Sequence, residues 1–127
     1  MSALERDGSY RPLTGNQTGL LLLWYLIRWK REQGTLGARP YAVKTIVTSY
    51  LADAICKAEG IRVFNTLTGF KYMAEVMEDQ GTEGFVLAYE ESIGYLIGDF
   101  VRDKDGVTAA AALASMAAWY FNRDMTL

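Results

Sequence analysis

Six consecutive residues, Gly84-Phe85-Val86-Leu87-Ala88-Tyr89, form a nearly continuous apolar run of strand length. A strand with one wet face alternates apolar and polar residues, so a run without alternation is expected inside a sheet covered on both faces. Such a sheet needs helices on either side. Helical segments are expected at Thr14–Arg31, Tyr50–Glu59, Lys71–Gln80 and Val107–Phe121, where apolar residues recur at helical spacing or alanine dominates.

Between them lie further strand candidates. Thr45-Ile46-Val47-Thr48 is a β-branched run, Ile61-Arg62-Val63-Phe64 is a second strand, and Tyr95-Leu96-Ile97 suits a short edge strand. Gly34–Tyr41 is expected as a loop, and Asn65–Phe70 as a turn. The predicted class is α/β: a mostly parallel, mixed sheet of about four strands covered by helices, in the order α-β-α-β-α-β-(β)-α. Residues 13–127 would form this domain. Residues 1–12, polar and without periodicity, are expected to be a linker or an appended leader.

Details of each element follow from local chemistry. Gly15, Asn16 and Thr18 are expected to cap the first helix, and Arg28, Lys30 and Arg31 suit its negative end. In the second helix Leu51, Ala54, Ile55 and Ala58 would share the buried face, with Gly60 as the stop. Cys56 lies between Ala54 and Ala58 on the apolar side, so a buried, inert thiol is expected.

Composition excludes several kinds of chemistry. The chain has 127 residues, no histidine, one cysteine and a net charge of −2. Zinc sites of the usual types and Ser-His-Asp or Cys-His nucleophiles cannot be assembled from it alone. Sequence-blind nucleic-acid binding, which needs a basic face, is not expected, and neither is a membrane partner, because Leu20–Ile27 is too short to span a bilayer. No apolar leader precedes it, so a cytoplasmic location is expected. Neither Gly-x-Gly-x-x-Gly nor a P-loop pattern occurs.

In parallel α/β sheets ligands collect at loops beyond the carboxyl ends of the strands. Four loops qualify. Thr48 and Ser49 are most simply explained as a helix cap. Thr66-Leu67-Thr68-Gly69-Phe70-Lys71 is either a capped helix with a solvated lysine or a turn in which Gly69 admits a ligand and Lys71 meets its phosphate. In Glu90-Glu91-Ser92, continued extension would send Glu90 and Ser92 to one side and Glu91 to the other. A carboxylate and a hydroxyl on one side suit neighbouring sugar hydroxyls better than paired-carboxylate catalysis. Arg102-Asp103-Lys104-Asp105-Gly106 is expected to be a solvated, self-neutralising run in which Asp105 is available as a cap.

These loops together resemble the third domain of the α-D-phosphohexomutases, the phosphoglucomutases and phosphomannomutases. Leu13-Thr14-Gly15-Asn16-Gln17-Thr18-Gly19 is similar to the opening of that domain in the branch containing phosphopentomutase-like enzymes. Thr68-Gly69-Phe70-Lys71 resembles its Thr-Gly-aromatic-Lys turn, Glu90-Glu91-Ser92-Ile93-Gly94 its Glu-x-Ser-Gly sugar loop, and Arg102–Gly106 its Arg-x-Lys-Asp-Gly segment. Tyr89 replaces the usual glycine, and Ile93 is inserted before Gly94.

The resemblance implies that Glu90 and Ser92 bind sugar hydroxyls, that Thr68 and Gly69 shape the pocket, and that Lys104 contacts the ligand; because loops after parallel strands converge, Lys71 is expected near the same strand-end pocket. It also implies a parent mutase moving phosphate between C1 and C6 of a hexose, or C1 and C5 of a pentose. An enzyme phosphoserine, magnesium and a sugar bisphosphate activator belong to that parent's other domains. No Ser-His-Asn-Pro-like or Asp-x-Asp-x-Asp-Arg-like segment occurs here, so no catalytic residue, metal or cofactor is assigned to this domain and the fragment alone is expected to be inactive. The expected partners are a phosphorylated hexose or pentose and the parent's remaining domains. The alternative is a non-catalytic α/β ligand-binding or interaction module.

Overall fold

The computed structural model describes residues 1–5 and 7–126. Its elements are β1 (Ser2–Leu4), β2 (Tyr10–Pro12), α1 (Gly15–Glu32), β3 (Tyr41–Thr45), α2 (Leu51–Glu59), β4 (Arg62–Thr66), α3 (Phe70–Gln80), β5 (Phe85–Glu90), β6 (Gly94–Leu96) and α4 (Gly106–Phe121). The main sheet has the order β4-β3-β5-β6. β3 runs parallel to both β4 and β5, and β6 returns antiparallel to β5 as a hairpin. This is the mixed, four-stranded, helix-covered sheet expected from the sequence.

Helices cover the two faces unequally. α1, α2 and α4 cover one face, where Leu22, Leu23, Ile27, Cys56, Tyr89 and Met116 form the larger core. α3 covers the other, packing Phe70, Met73 and Met77 onto Tyr41, Val43, Phe85, Ala88 and Leu96. All six residues of β5 are buried, which accounts for the uninterrupted apolar run. Cys56 is fully buried, and burial pushes its thiol up to about 12.

The first strand of the main sheet differs from expectation. β3 is Tyr41–Thr45, every residue buried, whereas Ile46 and Val47 lie in the following turn, 51% and 57% exposed. Of the β-branched run only Thr45 belongs to the strand, which begins four residues earlier, at the last residue of the expected loop. Lys44 disguised it. Its side chain is 1% exposed, and its ammonium lies 3.0 Å from Asp53 on α2. The pair is close enough for strong attraction but off hydrogen-bonding geometry, so it is a charge contact rather than a directional bond.

Smaller corrections have similar causes. The buried face of α2 carries Ala52 and Cys56, while Leu51 is 55% exposed, so the expected Leu51/Ala54/Ala58 face is rotated outward. Thr14 caps α1 through a capping box with Gln17, in place of Gly15, Asn16 and Thr18. β4 runs two residues further than expected, to Thr66. Residues 2–4 and 10–12, expected to lack structure, pair as an antiparallel ribbon. Asp105 caps α4 as anticipated, accepting from Val107 and Thr108 amides.

Candidate functional site

The parallel strands β3, β4 and β5 all end at one edge of the sheet, at Thr45, Thr66 and Glu90. The loops after them therefore converge, as parallel topology requires. Glu90 is the last residue of β5 and lies opposite Gly94 of β6. It is 5% exposed, an unusual burial for a carboxylate, and its Oε1 is 3.3 Å from the ammonium of Lys104.

Gly94 is required beside Glu90 by contact. A Cβ there would lie 2.7 Å from both Glu90 Oε1 and a ring carbon of Phe70. Phe70, the first residue of α3, is buried in this corner, and the Lys104 ammonium stands 5.9 Å from its ring centre. The sequence did not single out Phe70 for the site, although it lies inside the Thr-Gly-Phe-Lys turn. Gly69 precedes it with φ +124°, a backbone region that favours glycine. Thr68 is exposed in the same turn.

The two lysines differ in their surroundings. Residues 97–105 run back along the α3 side of the sheet, where Arg102 meets Glu78 at 2.6 Å and Lys104 meets Glu90. The basic residues of this run thus pair outward, correcting the expected self-neutralisation. Lys71, the second residue of α3, lies at the same sheet edge, exposed, with its ammonium 4.7 Å from the ring centre of Tyr72.

The Glu90-Glu91-Ser92 geometry departs from the expected alternation. Glu91, Ser92 and Ile93 form the turn of the β5–β6 hairpin, so extension stops at Glu90. Ser92 is exposed at the tip. Glu91 does not point away idly: its Oε2 accepts from Thr45 Oγ1 at 3.2 Å. Thr48, expected as a helix cap, is instead buried with its hydroxyl against that of Thr45. Asn16 Oδ1 accepts from the Ser49 amide at 3.0 Å, tying the start of α1 to the loop after β3.

A pocket of about 220 Å³ adjoins Lys104 and is lined by Ile93, Tyr95, Asp105, Gly106 and Ala109. A larger cavity, about 600 Å³, lies at the N-terminal ribbon and is lined by none of the strand-end residues. Chemistry favours the strand edge, because it gathers the buried carboxylate, two lysines and a helix N-terminus, whereas exposed ribbon residues line the larger cavity. At the site itself the ammonium beside Glu90 opposes a metal cation.

Residues 14–127 match the family model described as phosphoglucomutase/phosphomannomutase, alpha/beta/alpha domain III. The chain belongs to this family. It is 36% identical to glucose 1,6-bisphosphate synthase of Mus musculus across its whole length, and 38% identical to phosphopentomutase of Homo sapiens over 97% of its length. In each case it spans 21% of the relative. The open form of the Paramecium phosphoglucomutase pp63/parafusin superposes with a TM-score of 0.68 at 25% identity, covering 99% of this chain and 20% of that one. Domain III therefore accounts for about a fifth of such proteins.

Within domain III, the departure at Tyr89 has a structural counterpart. Its ring lies over Gly19 of α1, where a Cβ would come within 2.3 Å of ring atoms.

Proposed function

We propose that this domain recognises the sugar in a phosphosugar mutase that moves phosphate between C1 and C6 of a hexose, or C1 and C5 of a pentose, in the cytoplasm. The observation that carries the reading is Glu90: a nearly buried carboxylate at the C-terminal edge of the sheet, charge-compensated by Lys104, within a domain of this family. Oε1 faces the lysine, and Oε2 accepts no hydrogen bond from the described residues. An ionised carboxylate accepts at both oxygens, so Glu90 suits two neighbouring hydroxyls.

The other candidates have complementary tasks. Ser92, on the exposed turn, donates to or accepts from a hydroxyl, and Thr68 and Gly69 shape the wall beside it. Lys104 and Lys71 supply the positive charge that a phosphorylated ligand needs, since the chain as a whole carries −2. A mutase passing through a phosphoserine and a bisphosphorylated sugar must hold its sugar in two opposite orientations. Contacts to central hydroxyls serve both, and their value lies in positioning the phosphate that reacts.

Magnesium supplies electrophilic stabilisation of the transferred phosphate in such chemistry. The Lys104-compensated Glu90 corner does not fit that cation, so no step here runs through it. On this reading the phosphoserine and the bisphosphate activator would belong to the parent's other domains.

The test is an assay of the full-length parent for interconversion of glucose 1- and 6-phosphates and of ribose 1- and 5-phosphates. At least one pair is expected to turn over with the full-length enzyme and neither with this domain alone. A full-length protein inactive on both, or a domain active by itself, would overturn the reading.

A further inference from the structure

The turn between β5 and β6 holds an energetically unfavourable backbone. Ile93 has φ +67°. Three-residue hairpin loops often end in this left-handed conformation, but glycine is the residue that adopts it readily, and a β-branched side chain there is a steric outlier. Such conformations persist only where the surroundings over-determine them.

Three sets of contacts do so, and none involves Glu90 or Ser92. Thr45 Oγ1 donates to Glu91 Oε2 at 3.2 Å. The carbonyl of Glu91 rests on Gly15 so closely that a Cβ on Gly15 would stand 1.8 Å from its oxygen. The Tyr95 hydroxyl donates to the Gly15 carbonyl at 2.9 Å, binding the start of α1 to the strand that leaves the turn.

The threonine contact is directional. Each hydroxyl has one proton, so if Thr45 donates to Glu91, the buried Thr48 hydroxyl must donate to Thr45. A short chain, Thr48 to Thr45 to Glu91, thus points at the carboxylate. Both threonine hydroxyls are shielded from water, where such bonds are stronger and losing a partner is costly.

We propose that Glu91 is a positioning residue of the sugar site: through Thr45, its carboxylate holds the strained 91–93 turn in the arrangement that presents Glu90 and Ser92 to the sugar. This rests on Glu90 and Ser92 being the sugar contacts. Small displacements of positioning groups are costly to catalysis, so the turn's register matters beyond its contribution to folding.

The test is a mutant cycle in the full-length enzyme with Thr45→Val, Glu91→Ala, their combination, Glu91→Gln, and Glu90→Ala as reference. Each of the first two variants is expected to lower kcat/KM for the sugar phosphate about tenfold, as befits one hydrogen bond to a charged group. The double variant should be no worse than the worse single one, because both remove the same interaction. Glu91→Gln, whose amide oxygen still accepts, should recover most of the loss.

Rescue and non-additivity in kcat/KM separate positioning from a purely structural role, which would appear in the melting temperature instead. Glu91 is half-buried in a turn whose other two residues are exposed, so its variants decide the matter even if Thr45→Val does not fold. If Glu90→Ala impairs turnover and Glu91→Ala does not, or if the two single losses multiply, the proposal is overturned. If Glu90→Ala is also harmless in an active enzyme, the assignment of the sugar contacts fails and this inference falls with it.

Discussion

Replacing Asp53 should destabilise the domain far more than replacing the lysine it pairs with. Lys44 is 1% exposed and Asp53 32% exposed, at 3.0 Å. Asp53→Ala strands an ammonium inside the protein, its nearest remaining compensation being the ring of Tyr50 at 5.5 Å. Breaking a fully buried pair this way costs about 3–5 kcal/mol. Because Asp53 is a third exposed, solvent screening lowers the expected loss to about 2–3 kcal/mol.

Lys44→Met is different, because it removes the buried charge. Asp53 keeps on Oδ1 the Asn65 amide, which donates to it at 3.3 Å, and its side chain, a third exposed, can turn the buried Oδ2 to water. The methionine stem replaces most of the apolar packing, and the variant is expected within about 1 kcal/mol of the parent domain. Since unfolding entropy is roughly 2.1 cal/mol/K per residue, Asp53→Ala should lower Tm by about 7–11 °C. Urea unfolding gives the energies and calorimetry the midpoints. A Lys44→Met variant as unstable as Asp53→Ala would refute the reasoning, because lost attraction would then outweigh the stranded charge.

Other expectations are simpler to check. Gly69→Ala should destabilise the domain by about 1–2 kcal/mol in urea unfolding, since φ +124° is strained for alanine although a Cβ would meet nothing closer than 3.8 Å. Cys56 should resist thiol labelling at pH 8 in the native state and label rapidly in urea, because burial pushes its thiol up to about 12. Glu59 has its pKa lowered from 4.5, chiefly by the hydrogen bond from Arg31, with Arg28 adding to it. Its contribution to stability is thus present above about pH 4.5 and lost as pH falls through the folded value. Glu59→Gln should flatten that limb of the urea-midpoint profile against pH, and an unchanged slope would remove Glu59 from the account.

How much of this was legible depended on how locally each cause acts. β5 could be read because its first five residues, Phe85–Tyr89, are buried and uncharged, and charge enters only at its last residue, Glu90. β3 could not, because Lys44 interrupts Tyr41-Ala42-Val43-Lys44-Thr45, and the partner that makes its burial tolerable sits on the next helix. The β-branched Ile46-Val47-Thr48 run then drew the strand too far along the chain. In α2, Leu51 looked like a core residue, yet the turn before it rotates the helix so that Ala52 and Cys56 face inward.

The site divides in the same way. Glu90 stood out because it ends a buried strand, and Lys104 entered through a family pattern. Their direct contact is set by the path of residues 97–105, which no local signal describes. Glu91 was misjudged, because alternation was carried one residue past the end of the strand. Its partner Thr45 lies 46 positions earlier, brought close only by the parallel pairing of β3 with β5.

The most direct test of the central claim is the kcat/KM of the full-length enzyme for its sugar phosphate, with Glu90 intact and as Glu90→Ala. Lys104, 60% exposed, can be rehydrated when its partner is removed, so folding should be little affected. Loss of hydrogen bonds from a charged acceptor should lower kcat/KM by about ten- to a hundredfold in both directions of the reaction. A Glu90→Ala enzyme that melts normally and turns over sugar phosphate as fast as the unsubstituted protein would contradict the assignment of this domain's strand edge to sugar recognition.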